Sequence, residues 1–200
     1  TELRHSFIRI TVEKYASIPF MKILFCDNSL RELLNFRGDV ISDYAEHGAE
    51  VVLLAPRNCD INDSSCAGVR TIPIDFNRSG MNPFKECRYF FRLWKIYRKE
   101  RPDYIFHYTI KPNIYGSLAA RLCRIPSTAV IAGLGYVFNK GGFGCRIARA
   151  LYRFAMRYPE YVLVLNEHNK SVLLENRIVK SSQMILLKGG EGVNLDKFKA

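Results

Sequence analysis

Short apolar runs alternate with amphipathic stretches from residue 21 to residue 187. Several of the runs are dense in Val, Ile and Leu with little polar alternation, which is typical of parallel strands covered on both faces. The sequence therefore predicts seven strands. They are Ile23–Cys26, Val51–Ala55, a weaker run at Val69–Ile74, Tyr104–His107, Thr128–Ala132, Tyr161–Leu165 and Met184–Leu187.

Five stretches with helical spacing lie between these runs, at Arg31–His47, Pro83–Arg101, Asn113–Cys123, Phe143–Arg157 and His168–Asn176. Gly48 stands where a helix C-terminus needs a left-handed residue, and Pro102 stands just beyond the end of the second helix. Strands that alternate with helices over this length predict an α/β fold, with a Rossmann-like doubly wound parallel sheet.

The predicted domain spans residues 21–188. The first 20 residues differ in pattern, and Met21 begins a segment that reads as a buried first strand, so we expect residues 1–20 to be an extension upstream of the native start. The alternative is that Phe7–Val12 forms an edge strand. We expect residues 189–200 to be the start of a linker to a second domain.

Ligands of such sheets bind at the carboxyl ends of the strands, where the strand order reverses. The residues that follow each run are therefore the candidate site, and they are polar or glycine. His107 is the most distinctive, since an imidazole beside a helix that begins with Lys111 and Asn113 could donate to a hydroxyl or stabilise a developing charge. The alternative is a histidine that caps the strand or the helix.

Common nucleotide and metal signatures do not fit the chain. Gly133 and Gly135 match the first two glycines of G-x-G-x-x-G, but Phe138 stands at the third position and the segment follows a late strand. There is no phosphate-binding P-loop, H-E-x-x-H, Cys pair, D-x-D or G-x-S-x-G. We therefore expect no metal and no bound cofactor, and the sequence disfavours a nicotinamide dehydrogenase and a serine hydrolase.

Charge is concentrated on two helices. The chain has 30 Lys and Arg against 19 Asp and Glu, a net charge of +11, which indicates an anionic partner. Residues 85–101 and 140–157 each contribute +5. Arginines in the second segment fall on one stripe, at Arg146, Arg149, Arg153 and Arg157. Nucleic acid is disfavoured, because no helix-turn-helix, zinc-finger or RNA-binding pattern is present.

The apolar residues of these helices predict which face is buried. On the first we expect a core face of Cys87, Phe90, Phe91, Trp94 and Tyr97, and on the second one of Phe143, Ile147, Ala150, Leu151 and Phe154. A basic stripe beside apolar side chains suits an anionic membrane surface. The proposed surface residues are Arg88, Arg92, Lys95, Arg146, Arg149, Arg153 and Arg157. The alternative is a solvated face.

Six cysteines are scattered without a C-x-x-C pair, which favours reduced thiols in the cytoplasm over a disulfide framework. The longest run without Asp, Glu, Lys or Arg is Ile125–Asn139, with 15 residues and three glycine or proline positions. A membrane span needs about 20 apolar residues. We therefore expect attachment to the inner face of the plasma membrane without a span.

An ordered set of segments, read together, is specific. The segments are 35–37 (NFR), 82–84 (NPF), 107–116 (HYTIKPNIYG), 132–138 (AGLGYVF), 164–169 (VLNEHN) and 190–198 (GEGVNLDKF). This set resembles the N-terminal half of bacterial retaining glycosyltransferases of family 4, which have the two-lobed GT-B fold. The order and spacing are similar to those of enzymes that extend undecaprenyl-diphosphate-linked sugars for capsule, O-antigen or glycoprotein glycans.

The resemblance implies that this chain is the acceptor-binding lobe and that a C-terminal lobe holds the nucleotide-sugar donor. His107 would contact the transferred sugar without acting as a nucleophile, and an isolated lobe would be inactive. Residues implied to bind the acceptor are Asn28, Ser29, Lys111, Asn113, Gly133, Gly135 and Tyr136. Residues implied to line the cleft between lobes are Asn166, Glu167, Gly190, Glu191 and Gly192.

The resemblance also implies the partners, which are a nucleotide-sugar, a lipid-linked glycan acceptor and an anionic membrane surface, with no nucleic acid. Two other interpretations stay open at this point. One is a sugar-nucleotide 2-epimerase, which shares the two-lobed architecture. The other is a lipid-surface or glycan-binding module without catalysis.

Overall fold

The computed structural model describes residues 21–56, 69–75, 82–135 and 142–187. In the described residues, seven strands form one parallel sheet in the order β3-β2-β1-β4-β5-β6-β7. The strands are β1 Lys22–Cys26, β2 Glu50–Ala55, β3 Val69–Pro73, β4 Tyr104–Tyr108, β5 Ser127–Ile131, β6 Tyr161–Val164 and β7 Met184–Leu186. Each predicted strand is confirmed, and its ends differ from the prediction by no more than one residue.

The helices are α1 Leu30–Glu46, α2 Pro83–Glu100, α3 Ser117–Cys123, α4 Phe143–Ala155 and α5 Glu167–Glu175. A π-helical turn, Pro112–Gly116, leads directly into α3, and a short 3₁₀ turn, Ser181–Gln183, precedes β7. The five predicted helices are confirmed. The predicted boundaries 1–20 and 189–200, and the alternative strand Phe7–Val12, lie outside the described residues.

Local sequence explains where the helices begin and end. Ser29 caps α1 by accepting a hydrogen bond from the Glu32 amide at 3.2 Å, and Gly48 follows the helix with φ of +87°. Asn82 caps α2 in the same way, and Pro83 occupies its first turn, where no amide hydrogen is needed. The chain then leaves α2 at Arg101 and turns at Pro102.

Helices cover both faces of the sheet, which confirms the doubly wound arrangement. On one face α1 packs Leu33, Ile41 and Tyr44 against Phe25 and Phe106 of the central strands. On the other face α2 and α3 cover β1, β2 and β4, while α4 and α5 cover β5 and β6. Because both faces are covered, the five inner strands are almost entirely buried, as their unbroken apolar runs require, whereas the edge strands β3 and β7 are partly exposed.

The buried faces of α2 and α4 differ from the prediction. On α2 the buried residues are Glu86, Tyr89, Leu93 and Tyr97. Of the predicted core face, Tyr97 is confirmed, Phe90 and Trp94 are partly buried against the core, and Cys87 and Phe91 are exposed. On α4 the buried residues are Ala148, Tyr152, Ala155 and Met156, whereas Ile147 and Phe154 are 40% and 47% exposed. The core contacts come from tyrosines whose rings are buried, and from one carboxylate with an ion-pair partner, instead of from the more hydrophobic residues.

Polar side chains are buried between β1, β4 and α2. The His107 ring is fully buried, and its Nε2 lies 3.1 Å from the hydroxyl of Tyr97. Burial lowers the pKa of His107 to about 3 and raises that of Cys26 to about 12. Gly116 closes this pocket, because a Cβ there would lie 2.4 Å from Cδ2 of the imidazole.

Replacing Gly116 with alanine is therefore expected to lower the free energy of unfolding by about 2 kcal/mol, the usual range for an overpacked core. Urea unfolding measures this loss. Gly133→Ala is the matched control, since a Cβ at Gly133 meets nothing within 4 Å. In a His107→Ala background the Gly116→Ala loss should shrink, and an unchanged loss would show that the ring contact is not its cause.

His107 also gives stability a defined pH dependence. The folded imidazole stays neutral down to a pKa of about 3, whereas the unfolded chain protonates this residue near its ordinary value of 6.5. Between these values the unfolded state binds the extra proton, so stability falls as the pH drops from 6.5 toward 3.

His107→Gln should reduce this dependence of the free energy of unfolding on pH by up to about 1.4 kcal/mol per pH unit. Urea unfolding at pH 7 and pH 5 tests it, with exposed His168→Gln as control. Identical slopes for the wild type and His107→Gln would contradict it.

Candidate functional site

The reversal of strand order lies between β1 and β4, so the carboxyl edge there is the natural ligand position. The β1 exit is mostly occupied by internal contacts. The buried Asp27 carboxylate accepts a hydrogen bond from the Asn28 amide at 2.5 Å, and Ser29 is buried as the cap of α1. Of the two residues predicted here, only Asn28 reaches the surface, so the structure corrects the assignment of Ser29 to ligand binding.

His107 lies inside the layer of helices and not at the edge of the sheet. β4 runs one residue further than predicted, through Tyr108, and His107 shares the interior face with Ile105. A ring with no exposed surface cannot touch a sugar in the cleft. The structure therefore corrects the predicted sugar contact of His107 and makes it a core residue that supports Gly116.

Asn113 is also a core residue. Its side chain is 1% exposed, and its Nδ2 donates to the carbonyl of Val130 at 3.0 Å and to the Tyr152 hydroxyl at 3.4 Å. These bonds join the π-helical turn to β5 and α4. The predicted contact of Asn113 with the acceptor is corrected for the same reason as that of His107.

Lys111 does lie at the carboxyl edge. Its Nζ is 2.5 Å from Oε1 of Glu86, and both side chains are mostly buried. The Tyr115 hydroxyl also hydrogen-bonds to Glu86, and burial together with this carboxylate raises the pKa of Tyr115. The ion pair joins the β4 exit to the first turns of α2. It neutralises Glu86, the one carboxylate among the buried residues of α2.

A cleft of about 300 Å³ opens beside this ion pair. It is lined by Asp75 after β3, by Lys85, Glu86, Arg88, Tyr89 and Arg92 of α2, and by Lys111 after β4. Four cations thus surround two carboxylates, and one carboxylate is already paired with Lys111. The excess positive charge is carried by Lys85, Arg88 and Arg92, which suits a phosphorylated or otherwise anionic ligand.

Sequence reasoning missed most of this cleft. It assigned Arg88 and Arg92 to a membrane surface and did not select Asp75, Lys85, Glu86 or Tyr89. The signal that could have found it is the spacing of Glu86, Tyr89, Leu93 and Tyr97, at i, i+3, i+7 and i+11, which marks the true buried stripe. A carboxylate in that stripe needs a cation from elsewhere, and Lys111 is that cation.

The β5 exit has exposed backbone. Ala132, Gly133 and Gly135 are exposed, and Nδ2 of Asn169 donates to the Ala132 carbonyl at 3.2 Å, which fixes this exit against α5. Gly135 has φ of +59°, a conformation that side chains rarely adopt, and a Cβ would lie 3.3 Å from Ile110. Tyr136, predicted to bind the acceptor, lies outside the described residues.

The β6 exit carries exposed polar groups. Asn166 caps α5, with Oδ1 accepting from the Asn169 amide at 2.7 Å, and Glu167 pairs with Lys170 at 3.0 Å. Gly190, Glu191 and Gly192 lie outside the described residues. In the described ranges, no three His, Cys, Asp or Glu side chains cluster closely enough to hold a metal ion. That the activity needs no metal stays a prediction.

The arginine stripe of α4 lies at the surface. Arg146, Arg153 and Arg157 are exposed beside Ile147 and Phe154, while Arg149 is half-buried and donates to the Cys145 carbonyl at 3.4 Å. Of the apolar face predicted to pack on the core, Ile147, Ala150 and Phe154 are exposed next to the cations, whereas Leu151 packs against the core. No helix in the described parts of the chain is long and apolar enough to cross a bilayer.

Comparison with known proteins shows the family and the fold of the chain. The chain matches the Glycosyl transferase 4-like family over residues 22–166. It is 27% identical over 183 residues to N,N'-diacetylbacillosaminyl-diphospho-undecaprenol alpha-1,3-N-acetylgalactosaminyltransferase of Campylobacter jejuni. This match covers 89% of the chain and 48% of that protein.

Solved structures show the same fold at low sequence identity. A glycosyltransferase from Rickettsia africae superposes with a TM-score of 0.61 and 16% identity, over 90% of this chain and 45% of that one. A Listeria monocytogenes structure assigned to the UDP-N-acetylglucosamine 2-epimerases superposes with a TM-score of 0.57 and 14% identity, over 82% of this chain and 43% of that one. The chain spans about half the length of each protein. It belongs to the Glycosyl transferase 4-like family, and its fold is one lobe of the two-lobed GT-B architecture.

Proposed function

We propose that this chain is the acceptor-binding lobe of a glycosyltransferase that moves a sugar from a nucleotide-sugar to a polyprenyl-diphosphate-linked glycan. The family match supports sugar transfer, and the Campylobacter relative is named for a diphospho-undecaprenol acceptor. The observation that carries the proposal is the cationic cleft at the carboxyl edge. The cleft holds four cations against two carboxylates, and this excess of positive charge suits the diphosphate of such an acceptor.

Each part of the cleft has a task in this proposal. Lys85, Arg88 and Arg92 hold the diphosphate, since bonds between guanidinium or ammonium groups and phosphate are the strong, charge-assisted kind. Lys111 holds Glu86 in place, so the carboxylate does not repel the ligand. Asn28, Gly133, Gly135, Asn166 and Glu167 lie at neighbouring strand exits, and in the proposal they face the sugars and the donor lobe.

Catalysis in this proposal is positioning and charge stabilisation, with retention of configuration and without a protein nucleophile on this lobe. The leaving nucleotide is held by the second lobe without a metal ion, and this lobe by itself is inactive. His107 acts only through the core, because it packs against Gly116 of the π-helical turn that directly follows Lys111.

A sugar-nucleotide 2-epimerase is the second candidate, and the likeness to the Listeria structure favours it. The two activities have different products. In a protein that joins this chain to a donor-binding lobe, a transferase lengthens the prenyl-linked glycan and releases nucleoside diphosphate. An epimerase changes the sugar nucleotide with no acceptor present, and that result would overturn the transferase proposal.

Binding of the acceptor tests the cleft directly. We expect the chain to bind farnesyl-diphosphate-linked N-acetylglucosamine, and the variant Lys85→Gln/Arg88→Gln/Arg92→Gln to bind it at least tenfold more weakly, equivalent to about 1.4 kcal/mol. Calorimetric titration measures both constants.

The matched control removes three exposed cations outside the cleft, with Lys95→Gln/Lys99→Gln/Lys180→Gln. This variant has the same change in net charge, so it separates local contacts from the general field of the protein. Equal weakening by the control, or unchanged binding by the cleft variant, would contradict the assignment of the cleft.

We also propose that α4 docks on an anionic membrane surface. Ile147 and Phe154 are exposed beside Arg146, Arg153 and Arg157, so shallow apolar insertion and attraction to acidic headgroups can act together. Each basic residue near such a surface contributes about 1 kcal/mol. Arg88 and Arg92 belong to the cleft in this proposal, so α4 carries most of the attachment.

Vesicle flotation tests the docking surface. The chain should float with vesicles that contain phosphatidylglycerol and release at high salt, because exposed charges are screened over about 10 Å at 0.1 M. Substituting Gln for Arg146, Arg149, Arg153 and Arg157 should weaken recovery. Neutral phosphatidylcholine vesicles are the control, and equal recovery on both kinds of vesicle would rule out electrostatic docking.

A further inference from the structure

A second cavity lies at the opposite edge of the sheet, where α2 and α3 end. Its volume is about 550 Å³. It is lined by Trp94, Tyr97, Arg98, Arg101 and Pro102 from α2 and the residues after it, and by Leu122, Cys123, Arg124 and Ile125 from the end of α3. Twelve residues of α2 separate Glu86 from Arg98, which is about 18 Å along the helix axis, so this cavity is separate from the acceptor cleft.

The cavity collects positive charge without any acid. Arg98, Arg101 and Arg124 are exposed, and no Asp or Glu lines the cavity. Within the part of the chain that the structure describes, none of the three guanidinium groups has a carboxylate in ion-pair range. Arg70, by contrast, is paired with both Glu50 and Glu100. Three exposed guanidinium groups and no carboxylate thus line one cavity, a charge distribution that favours an anionic ligand.

Cations are common at the C-terminal ends of helices in any protein. Here two of the arginines also have an unfavourable backbone conformation. Arg101 and Arg124 have φ of +47° and +59°, in the left-handed region where glycine is usual and other side chains are sterically disfavoured. Gly48 occupies the corresponding place after α1. The sequence thus keeps arginine at two positions of this cavity where glycine would fit the backbone better, as it also does at Arg177 after α5, which lies outside the cavity.

The other wall of the cavity is apolar. The guanidinium of Arg98 stacks on the Trp94 ring, 4.9 Å from its centroid, which fixes both groups at the edge of the cavity. Leu122 is 62% exposed on the opposite side. An anion that also carries an apolar or planar group would cover these surfaces while its phosphate meets the guanidinium fork.

We propose that this cavity is a second, phosphate-binding site, specific for a phosphate ester or diphosphate borne on an apolar group. The site does not depend on the proposed acceptor cleft. Two sources carry this chemistry, a free phosphorylated ligand and the headgroup of an anionic lipid. Binding would join the ends of α2 and α3 through a shared anion, at the far end of the helix that begins in the cleft.

Trp94 is the one tryptophan of the chain, so its fluorescence reports on this cavity directly. Titration with geranyl diphosphate tests a free ligand that carries an apolar group, and titration with phosphatidic acid vesicles tests a headgroup. We expect a saturable change in Trp94 emission with at least one probe at millimolar concentration or below, and the probe that acts identifies the source. No saturable change with either probe would overturn the proposal.

The variant Arg101→Gly/Arg124→Gly removes two cations at positions where glycine relieves the backbone. Its melting temperature should therefore not fall, and its affinity for the active probe should fall at least tenfold. The cleft variant Lys85→Gln/Arg88→Gln/Arg92→Gln serves as control and should keep the Trp94 response within twofold. If the glycine variant keeps full affinity, or if the cleft variant abolishes the Trp94 response, the cavity is not the binding site.

Discussion

The parallel pairing of β1 with β4 is the constraint on which the rest of the structure depends. The two strands are adjacent in the sheet but distant in the chain, and nearly every residue in them is buried. Backbone groups in such a position need the ladder hydrogen bonds, because water cannot replace them. The pairing brings the exit of β1 next to the exit of β4, and it also places the amino ends of the strands together at the other edge.

Two clusters of cations follow from this arrangement, one near each end of α2. Near its first turns the charges surround a buried carboxylate that Lys111 neutralises, and beyond its last turn they surround a cavity without acids. Much of the positive charge of the chain is therefore divided between separate surfaces, and the neighbouring residues differ from one surface to the next. The exposed arginines of α4 form a third surface, where the neighbours are apolar side chains.

Most of the fold was predictable from the sequence, because it rests on the length and spacing of apolar runs. The strands read as unbroken apolar segments, and Gly48 and Pro102 marked helix ends. The buried faces of α2 and α4 were not predictable from hydrophobicity, since Tyr89, Tyr97 and Tyr152 are inside while Phe91 and Phe154 are outside. A tyrosine whose hydroxyl finds a polar partner in the core can take the place of a more hydrophobic ring.

The candidate site was less predictable, because its position depends on where β4 ends. One additional strand residue moves the beginning of the rim from His107 to Thr109, and the histidine becomes interior. Lys111 was recognised at the strand exit, but its partner Glu86 is 25 residues away in sequence and looked like one of several charges on a solvated helix. Only the tertiary packing of α2 brings the two together.

The π-helical turn Pro112–Gly116 has a consequence for how this region can change in evolution. A π turn holds one more residue than an α turn, so a deletion of one residue there would restore ordinary helical pitch. The same deletion would rotate the preceding segment by about 100° around the helix axis, given 3.6 residues per turn. Lys111 would then leave Glu86 without its counter-ion. Loss of one residue here would preserve a helix and abolish the cleft, so lineages that retain the cleft should also retain the length of this segment.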